Sequence, residues 1–213
     1  MLPEAGALPP EAFAEEISRR LPAFGLTLAP KPAAQLAGFL SELDQGRRRT
    51  NLTGPLPSLE LVAHALESIL AQKRLPEGSS LLDIGTGGGF PGLPLAIARP
   101  DVAATLLEPR SLRTAFLRAV IQRIGLPNAE VVEGKLPAIS GRVFRAASSR
   151  AVGELATMVG SGPFLEPGGL LLAWTTDPGR LERELRANFR LEGSEPVPGS
   201  KKKVVSAFRK TDG

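Results

Sequence analysis

The chain contains no cysteine and no tyrosine, one histidine and one tryptophan among 213 residues. Without thiols there is no disulfide, no thiolate metal site and no cysteine nucleophile. A single histidine, His64, excludes a polyhistidine metal site and leaves any Ser-His-Asp chemistry resting on that one ring. Aromatics make up 5% of the residues, so stacking platforms for single-stranded RNA are sparse. No apolar stretch approaches the roughly 20 residues needed to cross a bilayer. The N-terminal segment is proline-rich and acidic, with no basic start leading into an apolar core. These absences lead to the expectation of a soluble, cytoplasmic protein with no metal and no membrane attachment.

What is present is ordinary in bulk and uneven in placement. Hydrophobic residues are 42% of the chain, and a chain of this length buries roughly 70% of its unfolded surface. The formal net charge is +4, but the cations cluster. Arg47-Arg48-Arg49 and Lys201-Lys202-Lys203 are runs of one sign, and Arg110, Arg113, Arg118 and Arg123 recur along one segment. Such runs are either solvated faces or the concentrated charge that a phosphate backbone requires.

Periodicity divides the chain in two. Residues 1–10 hold three prolines and little to bury, so little order is expected there. Helices are predicted over 11–21 and 31–48, the second on the stripe Ala33, Leu36, Ala37, Leu40 and Leu43. After the break Gly54-Pro55-Leu56-Pro57, Ser58 is placed to cap a helix reaching about Gln72. Residues 1–75 thus read as an N-terminal helical cap. From Ser80 apolar strands alternate with helices, which predicts an α/β domain over 76–213 with a parallel sheet covered on both faces. Strands are expected near 80–84, 103–108, 129–133, 143–148 and 168–174, and helices over 91–98, 111–124, 152–161 and 178–188. The tail reads as a hairpin around the basic turn at 199–203. No linker is long enough to separate independent domains.

The most informative segment runs from Leu81 to Gly92. The apolar run Leu81-Leu82-Asp83-Ile84 feeds a turn nearly free of side chains, Gly85-Thr86-Gly87-Gly88-Gly89, where a ligand can lie against bare main chain. Glu108 closes the next apolar run, Val102 to Leu107, and a carboxylate at that strand end can accept from two ribose hydroxyls. An adenosine-containing cofactor is therefore expected. A dinucleotide fingerprint needs G-x-G-x-x-G; here the spacing is G-x-G-x-G, and Phe90 fills the position of the third glycine. Asp83, ahead of the first glycine, suits a cationic amino group better than a pyrophosphate. That D-x-G-x-G-x-G form is usual among S-adenosylmethionine-dependent methyltransferases.

The residues around the loop carry a resemblance. Gly89-Phe90-Pro91-Gly92-Leu93-Pro94, Asn51-Leu52-Thr53, His64 with Glu67-Ser68, Arg113 with Phe116-Leu117, and Ser149-Arg150-Ala151 resemble motifs of the RsmG/GidB family. That family methylates guanine N7 in RNA of the small ribosomal subunit. The resemblance implies a Rossmann-like methyltransferase sheet and S-adenosylmethionine as cofactor, held by Asp83, Gly85, Gly87, Phe90, Glu108, Leu136, Pro137 and Arg150. Leu136 and Pro137 match positions flanking the adenine, and Arg150 a cofactor-contacting arginine. The substrate implied is 16S ribosomal RNA or a small-subunit assembly particle, acted on by a monomer, with Arg47, Arg48, Arg49, Arg113, Lys201, Lys202 and Lys203 as the candidate RNA contacts. His64 and Glu67 are expected to anchor their helix, and Trp174 to pack.

Four positions depart from the family pattern. Its K-G after the late strand is replaced around Trp174-Thr175-Thr176, an acidic residue becomes Pro137, the D of H-x-x-D-S becomes Glu67, and a C-terminal R-H reads Lys201-Lys202. An inactive RNA- or cofactor-binding protein of the same fold is the alternative these departures leave open, and a nicotinamide oxidoreductase is a more distant one.

Overall fold

The computed structural model describes residues 6–50, 52–150, 155 and 163–211. Asn51, Ala151 and all but Leu155 of the helix expected over 152–161 lie outside the described residues.

Three helices open the chain: α1 (Pro10–Arg20), α2 (Pro30–Arg47) and α3 (Glu60–Ile69). Pro30 sits in the first turn of α2, where its missing N–H costs no hydrogen bond. The segment before α1 is tied down at Leu8, whose N–H donates to Asp44 at 3.1 Å and whose carbonyl accepts from Ser41 at 2.8 Å. Ser58 does not cap α3. The residue at that position is Leu59, and the Ser58 hydroxyl instead donates to Asp44 Oδ1 at 2.7 Å. The hydroxyl oxygen, which a cap would use as acceptor, instead accepts from Arg47 Nη2 at 3.2 Å, while its proton goes to the buried Asp44 carboxylate.

The strands are β1 (Ser80–Ile84), β2 (Ala103–Glu108), β3 (Ala129–Glu133), β4 (Phe144–Arg150), β5 (Leu165–Thr175), β6 (Phe189–Pro196) and β7 (Val204–Lys210). They form one sheet in the order β3-β2-β1-β4-β5-β7-β6. The first five pair in parallel, and β7 is antiparallel to both β5 and β6. Helices α4 (Gly92–Ala98), α5 (Ser111–Arg123) and α6 (Pro178–Leu185) cross between strands. Asp177 caps α6 by accepting from the Arg180 N–H at 2.9 Å.

Alternation along each strand sends neighbours to opposite faces. Leu81, Leu106, Ala146, Leu170 and Leu172 join one core with Phe13, Leu36, Leu40, Leu66 and Leu93, so α1–α4 cover this side of the sheet. Leu82, Ile84, Leu107, Ala147, Leu171 and Phe208 form the other core with Leu155 and Leu185. Strand β5 begins earlier than the sequence suggests. The strand expected from 168 starts at Leu165 and passes through Pro167-Gly168-Gly169 by a register shift, pairing Phe144 with Leu165 and then Ala146 with Leu170.

Strand order reverses between β1 and the central strand β4. In an open α/β sheet the crevice beyond the carboxyl ends at such a switch point is the place where ligands bind.

Candidate functional site

The loop after β1 is built by main-chain bonds that leave its outer edge bare. The N–H groups of Gly85 and Thr86 donate to the Leu107 carbonyl at 2.9 and 3.1 Å. Those of Gly89 and Phe90 donate back to Thr86 at 2.9 and 3.0 Å. Gly87 has φ +58°, and a Cβ there would find only Arg113 Nη1 at 3.5 Å and the Gly85 carbonyl at 3.9 Å. A Cβ at Gly87 would therefore fit at ordinary contact distance, with no clash against protein. Gly92 is the opposite: a Cβ would stand 2.4 Å from Leu106 Cδ2 and 2.7 Å from Asp83 Oδ2. Leu52 of the Asn51-Leu52-Thr53 segment closes the loop from the cap side, its carbonyl 3.0 Å from where a Cβ on Gly88 would stand.

Asp83 braces this loop from within. It is completely buried, accepting from the Gly92 N–H at 2.9 Å and the Ser148 hydroxyl at 2.8 Å. Burial pushes its carboxyl above the usual range, against the opposing pull of the Thr86 and Ser148 hydroxyls, the Gly92 N–H and the Arg150 charge. Sequence placed Asp83 against a cationic amino group. In the structure its carboxylate is enclosed and committed to the loop, so direct pairing would require those bonds to open.

Glu108 stands at the end of β2, 3% exposed. One oxygen accepts from the Gly87 N–H and the other from the Arg110 N–H, both at 3.0 Å. Each oxygen keeps a second lone pair. The turn after β3 is joined to it through Gly134, whose N–H donates to the Glu108 carbonyl at 3.0 Å. Leu136 and Pro137 follow in a short 3-10 turn, bordering a hollow of about 210 Å³ with Arg142 and Phe164.

On the other side of the switch point, Arg150 ends β4 with its guanidinium 4.7 Å over the Phe90 ring. Burial holds its pKa below the ordinary value, partly offset by the charges of Glu67 and Asp83. Phe90 also meets Phe39 at 5.4 Å and the edge of His64 at 6.2 Å. Burial and the Arg150 charge lower the His64 pKa, with Glu67 opposing, so this ring is neutral at physiological pH. Glu67 binds Lys203 Nζ at 3.0 and 3.2 Å, and its main-chain carbonyl accepts from Trp174 Nε1 at 2.9 Å. Helix α3 is thereby fastened to β5 and to the turn that leads into β7, and its His64 to the glycine loop.

The structure thus brings Asp83, Gly85, Gly87, Phe90, Glu108 and Arg150 around the ends of β1, β2 and β4. The cations singled out from sequence are dispersed. Arg47 is an interior residue: it donates to Asp44 Oδ1 at 2.7 Å and to the Leu56 carbonyl at 2.7 Å, with 11% of its side chain exposed. A run of three arginines at a helix end looked uniformly exposed, but only tertiary packing shows that Asp44 lies beneath it. Arg48 reaches the same carboxylate at 3.4 Å, and Arg49 is exposed. Arg113 lies 3.8 Å from Glu108. Lys201 and Lys202 are exposed on the β6–β7 turn, while Lys203 is paired to Glu67. Sequence reasoning missed Ser148, which supports Asp83, and the exposure of Trp174 to a cavity of about 640 Å³ shared with Glu67, Arg150 and Asp177. The paired serines Ser148-Ser149 near the end of β4 were the available signal for the former.

Sheet order, switch-point crevice and glycine loop define a Rossmann-like methyltransferase fold. Solved structures agree at the level of fold. A ribosomal protein L11 methylase from Lactobacillus delbrueckii subsp. bulgaricus superimposes with TM-score 0.59 at 12% identity, covering 70% of this chain and 79% of its own. A SAM-dependent methyltransferase from Aquifex aeolicus gives 0.55 at 18% identity, covering 68% and 89%. The model of the GidB family, rRNA small subunit methyltransferase G, matches residues 33–194, and the chain belongs to that family of methyltransferases. Among relatives named ribosomal RNA small subunit methyltransferase G, that of Sorangium cellulosum (strain So ce56) is 39% identical over 173 residues, 77% of this chain and 71% of the relative. That of Halorhodospira halophila (strain DSM 244 / SL1) is 35% identical over 171 residues, 79% of this chain and 80% of the relative.

Proposed function

We propose that this protein transfers the methyl group of S-adenosylmethionine to N7 of a guanine in 16S ribosomal RNA. The observation that carries the reading is the bare backbone at Gly87 beside the Glu108 carboxylate, a berth that a Cβ would fill. In this reading Gly85 to Gly87 line the methionine portion, Glu108 accepts from the ribose hydroxyls through its second lone pairs, and Leu136 and Pro137 border the adenine. Asp83 acts through the loop it holds, and Arg150 through its placement over Phe90. When bound, the cofactor supplies a methyl group made electrophilic by its sulfonium.

Guanine N7 carries a lone pair in the ring plane and no proton, so no general base is needed. The residues of this chain then act by alignment, holding the purine near the donor and excluding water. The neutral His64 and the loop-bound Asp83 suit that role, since the reaction asks neither to move a proton. The guanine must be unpaired or extruded to reach the crevice, and Arg49, Lys201 and Lys202 are the exposed cations proposed to meet flanking phosphates.

The test is transfer of labelled methyl to small-subunit RNA from cells lacking the modification, presented as naked RNA, as 30S particles and as assembly intermediates. Label at guanine N7 is the expected result. No transfer to any of the three would overturn it.

A further inference from the structure

Two hollows meet at a single ion pair. The first, about 640 Å³, lies beyond the ends of β4 and β5 and is lined by Arg150, Trp174 and Asp177. The second, about 650 Å³, lies between α1, α3 and the β6–β7 turn and is lined by Arg19, Arg20, Glu60 and Lys201; both arginines pair with Glu16, and Arg20 also with Glu60. Glu67 and Lys203 line both. Their salt bridge is thus a partition between a chamber next to the switch point and a chamber that opens at the exposed Lys201 of the β6–β7 turn.

The partition is asymmetric. The Glu67 side chain is 9% exposed and that of Lys203 45%. Glu67 sits on α3, whose main chain at this residue is pinned by Trp174 Nε1. Lys203 is a point charge on a flexible stem at the end of a turn, and its exposed side can turn from one anion to another. Among the described residues, the other carboxylates of the first chamber are engaged on α6: Asp177 caps it and Glu184 pairs with Arg180 at 2.7 Å.

Guanine offers two parallel donors, N1–H and N2–H, on one edge, and a carboxylate accepts both at once. Adenine presents a lone pair at N1 and would be repelled. N7 lies on the other side of the purine, so a base gripped by that edge keeps its N7 free. Resting on the methyl-transfer reading above, we propose that the Glu67–Lys203 pair selects the substrate base by partner exchange. The Glu67 carboxylate accepts from guanine N1–H and N2–H in the first chamber, and Lys203 passes to a phosphate of the same strand in the second. The cation that closes the empty site thereby becomes a phosphate contact in the loaded one.

Trp174 is the only tryptophan in a chain without tyrosine, so intrinsic fluorescence reports on the first chamber alone. The native protein is titrated with 5′-GMP, 5′-AMP and guanosine. GMP is expected to change Trp174 emission saturably and AMP is not. Glu67→Gln keeps the shape and the main-chain carbonyl that holds Trp174, and should weaken GMP about 10- to 100-fold, as loss of a charged acceptor does. Lys203→Met should erase the advantage of GMP over guanosine while leaving guanosine binding in place. Unliganded emission like that of the native protein confirms that both variants fold. Equal response to GMP and AMP, no saturable response to either, or native GMP affinity in Glu67→Gln overturns the proposal. Methyl transfer by the native protein is measured in parallel. Transfer without GMP selectivity sinks the assignment of Glu67 alone; GMP selectivity without transfer sustains it and sinks the methyl-transfer reading.

Discussion

Gly87 and Gly92 belong to one loop and have opposite requirements. At Gly87 a Cβ meets only ordinary contacts, with Arg113 at 3.5 Å, but a positive φ, which costs an L-residue about 1–2 kcal/mol. Gly87→Val is expected to leave the sheet folded and to abolish cofactor binding by occupying the berth. At Gly92 a methyl would collide with Leu106 and Asp83 in the core, and Gly92→Ala should lower thermal stability before any ligand is added. Calorimetry with S-adenosylmethionine and a melting curve on each variant separate the two; micromolar affinity retained in Gly87→Val would mean that the ligand is misplaced. His64 gives a third readout at this scale. Its folded pKa lies below the ordinary 6.5, so the stability tied to its neutral form is complete above that value. That contribution is lost as pH falls through the folded pKa. Proton NMR of the lone histidine should show titration below 6.5, and a value at or above it would contradict the enclosure beside Arg150.

At the scale of elements, three of the buried carboxylates show how pieces of the fold that sequence treats separately are joined. Asp83 ties β1 to the glycine loop and to β4, and Glu67 ties α3 to the turn entering β7. Asp44 on α2 collects the Leu8 N–H, Arg47 and Ser58, so it binds the segments on either side of α2 to that helix. Arg47→Ala leaves this carboxylate without its closest cation, and a loss of about 3 kcal/mol in unfolding free energy is expected. Chemical denaturation measures it, and RNA affinity per folded molecule should be unchanged. An intact stability with weakened RNA binding would restore Arg47 to the surface role its sequence context suggested.

Across the whole molecule, charge is split between pairs that hold the fold and cations left to solvent. Arg20 pairs with Glu16 and Glu60, joining α1 to α3, and Arg123 bridges to Glu42 at 2.5 Å, joining α5 to α2. A positive formal charge therefore overstates what is available to a phosphate backbone. Lys201 and Lys202 remain exposed. Replacing both by Gln should reduce the slope of log affinity for RNA against log salt by about 0.7 for each single-strand phosphate that either lysine neutralises. A slope equal to that of the native protein would place the RNA on another face.

Sequence determined whatever depends on local order. Period-2 and period-3.6 patterning located most strands and helices to within a few residues, because a half-buried element must alternate with its own geometry. The spacing of Asp83, Gly85, Gly87 and Glu108 marked the crevice, because a side-chain-free turn after a strand and an acid at the next strand end are features of the chain itself. What tertiary structure alone decided is which polar groups meet. Ser58 goes to Asp44 rather than to its helix, Arg47 turns inward from a basic run, and Lys203 finds Glu67 far away along the chain. The preference of each for a distant partner comes from burial, which strips water from a charge and makes the nearest opposite group worth more than solvent. Burial is a property of the assembled molecule, and no window of sequence contains it.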